Sequence, residues 1–271
     1  MRDVMISGKQ SSLDDWHQRE CEIFNEQAKL FERSSVEFRR SVHFHNSTAA
    51  GHKRVSQAWT VYPEAETVAL PAANRPTSRL CDIFEQRHSC RSFGAGPLSL
   101  QDMSDILCAV AVNRRTPSSL DDQIVFRKKP YPTPGGIFSI DFYVVPLDLP
   151  ELTAICYYDG DRHVLSVVNR HFELDGMKDA LGITGKFEPG PGVAILQTIN
   201  MARIVVKYRQ RGYRFAMIEA GLGAMALCQA ATSLGLGTLF WGGFKEHLLD
   251  PYLDVDGVNV SCVNTLFIGR R

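Results

Sequence analysis

Apolar residues recur every three to four positions in several stretches of the chain, and this spacing predicts α-helices. The predicted helices cover residues 20–38, 80–86, 100–112, 201–208 and 215–234. Ser99 precedes the third helix and is a residue type that accepts hydrogen bonds from the first free amides of a helix. Gly235 follows the last helix, where a glycine commonly ends the helical run. That last helix is rich in alanine and glycine, so we expect it either at the centre of the core or at a subunit interface.

Other stretches run apolar or alternate over short lengths, as β-strands do. The predicted strands cover residues 137–147, 155–159, 193–198 and 260–268. Strands interspersed with helices favour an α/β or α+β sheet sandwich.

Three segments predict irregular backbone. Residues 43–48 are polar and indicate a loop, and residues 60–78 contain three prolines and indicate a connection. Residues 130–136 read Pro-Tyr-Pro-Thr-Pro-Gly-Gly, and their prolines lack amide donors and fix φ. We therefore expect an N-terminal extension over residues 1–78 and a main domain over residues 79–271.

Composition narrows the function classes. The 271 residues suit one large domain with an extension, and 30 basic residues balance 30 acidic ones. This balance gives no sign of nucleic-acid or membrane binding. Seven cysteines without a Cys-x-x-Cys pair favour a reduced, cytoplasmic protein without a metal site. The N-terminus lacks a signal-peptide pattern, and we expect no apolar run of the roughly 18 residues that span a bilayer.

The most informative run is residues 207–214, Lys-Tyr-Arg-Gln-Arg-Gly-Tyr-Arg, which contains no acid. It places a phenol beside an ammonium group, just before the long apolar helix. The pattern favours an acid/base tyrosine, Tyr208, next to a bound anionic group.

Three shorter motifs each allow a plain structural interpretation beside a functional one. Residues 87–93, Arg-His-Ser-Cys-Arg-Ser-Phe, offer two guanidinium groups to a phosphate, or form a solvated surface. The Pro-Thr-Pro-Gly-Gly run offers bare backbone to a flat ring, or is a rigid turn. Residues 241–244, Trp-Gly-Gly-Phe, allow close ligand approach, or form a tight turn. The common nucleotide-binding and hydrolase motifs are absent from the sequence.

Taken in order, these motifs resemble the nitroreductase-like flavoprotein superfamily. Residues 129–141 and 207–214 are more narrowly similar to its SagB-type dehydrogenase branch, which includes the azoline dehydrogenase subunits of microcin synthetases. The resemblance covers roughly residues 80–271. It implies an α+β fold with a central mixed or antiparallel β-sheet flanked by helices, in an intertwined homodimer with FMN at the subunit interface. The implied reaction oxidises thiazoline or oxazoline rings of a peptide substrate to azoles, with molecular oxygen as the final acceptor.

The same resemblance assigns residues to the site. It implies Lys207 and Tyr208 as the catalytic pair. The implied FMN-binding residues are Arg87, Ser89 and Arg91 for the phosphate and ribityl chain, Pro132, Thr133 and Gly135 for the ring, Gly242 and Gly243 for its reactive edge, and Arg270 for the phosphate. A cyclodehydratase complex or a carrier protein is the implied partner. Pro134 replaces a glycine of the family pattern and Ser139 replaces a proline, so the substrate pocket is expected to differ.

Two questions stay open at this stage. A tyrosine base near pH 7 needs its pKa lowered by roughly three units, about 4 kcal/mol, which one cation about 4 Å away supplies at an effective dielectric near 20. Adjacent helical residues do not face each other. Either residues 207–208 leave the helix, or the two side chains flank the substrate separately. In the second case Lys207 stabilises developing negative charge or is itself the base.

The alternatives differ in substrate and in role. One is oxidation of another amino-acid-derived or carrier-bound scaffold. Another is an NAD(P)H-dependent nitro- or quinone reductase. The last is a flavin-bound scaffold for a cyclodehydratase.

Overall fold

The computed structural model describes residues 19–23, 25–26, 32–74 and 78–271. The first two of these segments are helical. The helices are α1 (Glu32–Ser47), α2 (Ala49–Gln57), α3 (Leu80–Gln86), α4 (Leu100–Leu107), α5 (Leu174–Ala180), α6 (Met201–Tyr208), α7 (Arg211–Ser233) and α8 (Glu246–Tyr252). Short 3₁₀ turns lie at Cys108–Val110 and Pro134–Gly136.

The strands are β1 (Thr67–Ala69), β2 (Arg114–Pro117), β3 (Val125–Lys128), β4 (Ile140–Pro146), β5 (Ile155–Asp159), β6 (Val164–Asn169), β7 (Val193–Asn200), β8 (Gly237–Trp241) and β9 (Val260–Gly269). Seven of them form one sheet in the order β1-β6-β5-β4-β7-β9-β8, and β2 pairs with β3 separately. Every strand pair is antiparallel. An antiparallel sheet flanked by helices confirms the predicted α+β class.

Two apolar layers cover the two faces of the sheet. Along β4, Phe142 and Val144 enter one layer while Tyr143 and Val145 enter the other, as the two-residue period of a strand requires. Helix α7 packs on the first layer, where a side chain at Gly223 would come within 3.0 Å of the Phe142 ring. The small residues of α7 therefore allow it to lie directly on the sheet.

Several predicted elements agree with the structure. The helices at 80–86 and 201–208 have the predicted bounds, and the strand at 155–159 does too. Ser99 and Asp102 form a capping box at the start of α4. The Ser99 hydroxyl accepts from the Asp102 amide at 3.1 Å, and the Asp102 carboxylate accepts from the Ser99 amide at 2.9 Å. The predicted helix 20–38 falls partly outside the described residues.

Two predictions of irregular backbone were wrong. Residues 43–47 continue helix α1, and the break comes at Thr48, whose hydroxyl accepts from the Gly51 amide at 3.0 Å and so caps α2. A side chain at Gly51 would overlap the Phe44 carbonyl, so glycine allows α1 and α2 to pack against each other. The predicted connection 60–78 contains β1, which pairs with β6 at the sheet edge.

The expectation that no segment has membrane-spanning character also needs correction. Among the described residues, helix α7 alone is long and apolar enough to cross a membrane, by length and composition only. Half of that apolar window is buried inside the molecule, which matches its position on the sheet and makes this weak evidence for a membrane span.

The N-terminal helices pack into the main core. Val55 of α2 belongs to the same buried cluster as α7, and Phe38, Val42 and Trp59 pack against it. The Ser41 hydroxyl donates to the Val206 carbonyl of α6 at 2.9 Å. The boundary at residue 78 stays a prediction, but the segment before it directly contacts helix α6.

Candidate active site

The end of helix α6 brings the predicted catalytic pair to one point. Helix α6 ends at Tyr208, and Arg209 then adopts φ 53°. A side chain at Gly135 would overlap the Tyr208 hydroxyl and would lie 2.6 Å from Lys207 Nζ. Both functional groups therefore face the Pro134–Gly136 turn. Helix α6 ends directly after Lys207 and Tyr208, and both side chains reach the same turn.

Lys207 is buried and held in place. Lys207 is only 3% exposed, and its Nζ donates a hydrogen bond to Asn46 Oδ1 at 2.8 Å. The Asn46 backbone carbonyl is bonded in turn by His52 Nε2 at 2.9 Å, and His52 Nδ1 lies 2.6 Å from the Ser118 hydroxyl. Burial, helped by the nearby Lys128 ammonium, lowers the pKa of Lys207. The neutral amine of Lys207 therefore forms at a lower pH than that of an exposed lysine.

Tyr208 is surrounded by aromatic rings. Its ring meets Phe215 edge-on with centroids 4.9 Å apart, and Phe38 lies 6.1 Å away. Lys207 Nζ lies 5.4 Å from the Tyr208 ring centroid. Burial raises the pKa of Tyr208. This direction is opposite to the one that a phenolate base requires.

A buried carboxylate anchors the turn that faces this pair. Glu219 of α7 is fully buried, and its Oε2 accepts from the Ser139 amide at 3.2 Å and the Ser139 hydroxyl at 2.8 Å. The Phe138 amide donates to the Thr133 hydroxyl at 3.2 Å. Burial raises the pKa of Glu219. Ser139, which departs from the family pattern, is therefore a support of the turn.

A buried arginine and a half-buried lysine lie next to the turn. Arg203 pairs with Asp141 at 2.6 Å and donates to the Phe138 carbonyl at 2.9 Å. Lys129 Nζ lies within 5.7 Å of several ring centroids, those of Trp59, Tyr131, Phe138 and Phe142. Burial lowers the pKa of Lys129 to about 8.

Two cavities meet at Lys207. The larger has a volume of about 790 Å³ and lies between α2, α6 and residues 58–61. The smaller, about 220 Å³, lies beside Gly135 and Gly136 and is lined also by Lys128. His45, Val55 and Lys207 line both.

The predicted phosphate-binding segment lies elsewhere, along the edge strand β8. Ser89 bridges to Thr238, and the Cys90 amide donates to the Thr238 carbonyl at 2.8 Å. Ser89 and Arg91 are exposed and Arg87 is half-buried. The described residues place no carboxylate in an ion pair with either arginine.

The two C-terminal arginines, Arg270 and Arg271, have different hydrogen-bond partners. Arg270 pairs with Asp102 at 2.7 Å and donates to the Pro97 carbonyl, so its guanidinium is already bonded. Arg271 instead donates to the Gln86 carbonyl at 3.2 Å, immediately before Arg87. Arg271 was not among the predicted site residues.

The two predicted glycines after β8 have different surroundings. Space is open around Gly242, while a side chain at Gly243 would meet the Trp241 ring at 2.7 Å. We call Arg87, Ser89, Arg91, Gly242 and Gly243 the β8 group, because they lie in the segment that bridges to β8 or directly follow that strand. The described residues of one chain form no hydrogen bond or ion pair between this group and the turn at Gly135. The remaining predicted residues near that turn are Pro132, Thr133, Lys207 and Tyr208.

Sequence reasoning missed Asn46 and Glu219. Glu219 had a signal, because it is the sole charged residue between 215 and 236. Asn46 had none beyond its polar neighbours, since its partner lies 161 residues away. In the described part of the chain, no three His, Cys, Asp or Glu side chains cluster as metal ligands do.

Comparisons with known proteins place this fold. The chain is 28% identical over 192 residues to the nitroreductase-family protein MJ1384 of Methanocaldococcus jannaschii, covering 70% of this chain and 91% of that one. It is 22% identical over 147 residues to the microcin B17-processing protein McbC of Escherichia coli, covering 52% and 54% respectively.

Two solved structures share the fold. A nitroreductase-like protein from Ralstonia eutropha JMP134 matches with a TM-score of 0.60 and 24% identity, over 78% of this chain and 92% of that chain. The Escherichia coli microcin synthetase McbBCD complex, with truncated pro-MccB17 bound, matches with a TM-score of 0.60 and 19% identity, over 97% and 98%. The nitroreductase family pattern matches residues 84–266. The chain therefore belongs to the nitroreductase family and is an oxidoreductase of that family.

Proposed function

We propose that this protein is an FMN-dependent dehydrogenase that oxidises a thiazoline or oxazoline ring in a peptide-derived intermediate to the azole. The observation that carries the proposal is the convergence of Lys207 and Tyr208 on the glycine turn at Gly135. A reductase that takes hydride from a nicotinamide needs no group to remove a proton from carbon. A lysine and a tyrosine buried together beside an open turn suit that proton removal.

The residues present fit FMN. Nitroreductase-family proteins generally bind this flavin. Arg87 and Arg91 lack carboxylate partners among the described residues, and forked guanidinium donors suit a phosphate. Gly135 is exposed and space is open around Gly242, so a flat ring can approach the backbone at both. When bound, FMN supplies the hydride acceptor for ring oxidation.

Lys207 and Tyr208 then take different roles. The lowered pKa of Lys207 makes its neutral amine available to accept a proton, while its bond to Asn46 directs it. The raised pKa of Tyr208 keeps the phenol protonated. Tyr208 therefore donates a hydrogen bond to the ring heteroatom or carbonyl where negative charge develops. We assign the base role to Lys207 and the donor role to Tyr208.

A second copy of the chain completes the site. The β8 group and the Gly135 group are not linked within one protomer. Helix α7 exposes an apolar edge at Ile218, which is 52% exposed, and Leu222, which is 36% exposed. A groove of about 520 Å³ beside it is bordered by α3 and by Pro132. An apolar edge along a groove is typical of a homodimer interface. The substrate peptide would arrive from a cyclodehydratase or carrier protein.

Turnover of a defined substrate tests the proposal. Purified protein loaded with FMN is incubated in air with a short peptide that contains one thiazoline, and the product mass is measured. We expect the loss of two hydrogens and the appearance of thiazole absorbance. Rapid NADH-dependent reduction of a nitroarene without thiazoline oxidation would instead assign the reductase activity.

A further inference from the structure

The cavity of about 790 Å³ beside Lys207 is separate from the predicted flavin-binding residues, none of which lines it. Its wall combines a flat indole with basic and apolar side chains. The residues of this lining that carry the argument are His45, Arg54, Trp59, Arg203 and Lys207. The volume lies in the range of small-molecule sites.

The charge of this wall has one sign. Among the described residues, the lining contains no Asp or Glu, although the chain as a whole has equal numbers of acids and bases. Arg203 is neutralised by its 2.6 Å ion pair with Asp141. Arg54 is exposed, and the described residues give it no carboxylate partner; its guanidinium lies 5.7 Å from the Phe44 ring centroid. Arg54 is therefore the accessible, uncompensated cation of the cavity.

The pKa of His45 is affected by the positive charges around the cavity. The residue is 4% exposed, and its Nδ1 lies 2.8 Å from the Ser41 carbonyl, so Nδ1 carries the proton. Its Nε2 has no hydrogen-bond partner in the part of the chain that the structure describes. Burial lowers the pKa of His45, the hydrogen bond to Ser41 raises it by a smaller amount, and the positive charges of Lys207, Arg54 and Arg209 lower it further. The charged groups that act on His45 are Arg54 of α2, Lys207 of α6 and Arg209 just after α6, and all three are cationic.

We propose that this cavity binds a carboxylate-bearing, planar ligand, with Arg54 as the carboxylate-binding residue and Trp59 as a wall for the ring. The inference rests on the proposed function and adds its substrate class: an azoline whose own or neighbouring carboxylate enters beside Lys207. Helix α2 of the N-terminal segment then has a recognition role.

A binding measurement without turnover tests this site. Thiazole-4-carboxylate and thiazole-4-carboxamide are titrated into the flavin-loaded protein by calorimetry. Because a hydrogen bond to a charged group contributes about 1.5–3 kcal/mol, we expect the carboxylate to bind at least ~10-fold more tightly than the amide. Raising the salt concentration should reduce that preference.

The matched variants are Arg54→Gln and Lys53→Gln. Lys53 is an exposed cation on the same helix that does not line the cavity. Arg54→Gln should lower the preference to less than ~3-fold, while Lys53→Gln should leave it unchanged.

Equal binding of the two compounds, no binding of either at millimolar concentration, or a full preference in Arg54→Gln would overturn the site. These outcomes are independent of the proposed function. A protein that oxidises azolines but shows no carboxylate preference refutes only this site. A protein with the preference but without azoline oxidation refutes only the proposed reaction.

Discussion

Replacing Asn46 by aspartate tests the role of Lys207 through its protonation state. The substitution puts a carboxylate where Asn46 Oδ1 now lies, 2.8 Å from Lys207 Nζ. Two unit charges at this distance attract by about 1.5 kcal/mol in water and by several times more at lower effective dielectric. Asn46 is exposed, so the lower part of that range applies, about 1.5–3 kcal/mol. This corresponds to a rise of about one to two units in the pKa of Lys207.

The pH profile of kcat/KM is the assay. The native pKa of Lys207 is lowered by burial and by Lys128, so the neutral amine forms as the pH rises. A base must be neutral, so activity rises with pH through the pKa of Lys207. In Asn46→Asp that limb should move to higher pH by about one to two units, and activity at neutral pH should fall ~10- to 100-fold.

Asn46→Ala is the control, because it removes the hydrogen bond without adding charge. It should not move the limb to higher pH. An unchanged profile in Asn46→Asp, with the protein folded and flavin-bound, would refute the assignment of Lys207 as the base.

Three further predictions concern other parts of the site. Tyr208→Phe removes a donor to developing charge and should lower turnover by ~10²- to 10³-fold with the flavin still bound; near-normal turnover would exclude the donor role. Arg91→Ala should purify pale, because a phosphate ligand is lost, and a fully yellow protein would remove Arg91 from the phosphate site. The raised pKa of Glu219 means that the folded state holds its proton more tightly than the unfolded state, so stability falls as the pH rises from the ordinary carboxyl pKa to the raised one. Glu219→Gln should flatten that slope in denaturant melts, whereas Glu219→Ala should cost about 1–3 kcal/mol by leaving Ser139 unbonded; an unchanged slope in Glu219→Gln would contradict this origin.

The sequence predicted the elements that carry strong local signals. Helix α6 followed from its apolar spacing, and α4 followed from Ser99, because caps and periodicity are local properties. The basic aromatic run at 207–214 pointed to a pair that the structure indeed brings onto one turn. The catalytic assignment itself remains a prediction.

The remaining features depend on contacts that no local pattern contains. Strand β8 was not predicted, and its pairing with β9 makes it a strand. The segment 43–47 is polar, but it is helical because α1 packs on α6 and α2. The raised pKa of Tyr208 follows from burial, which depends on Phe38 and Phe215 packing around the ring.

The central claim is that the buried Lys207–Tyr208 pair serves the oxidation of a ring carbon. The most direct measurement mixes the flavin-loaded protein anaerobically with a thiazoline peptide, or separately with NADH, and follows the visible flavin absorbance. We predict that the thiazoline bleaches the flavin and yields one thiazole for each flavin reduced, that Lys207→Ala abolishes the bleaching, and that NADH acts slowly. Rapid bleaching by NADH, with no bleaching by the thiazoline, would contradict the account.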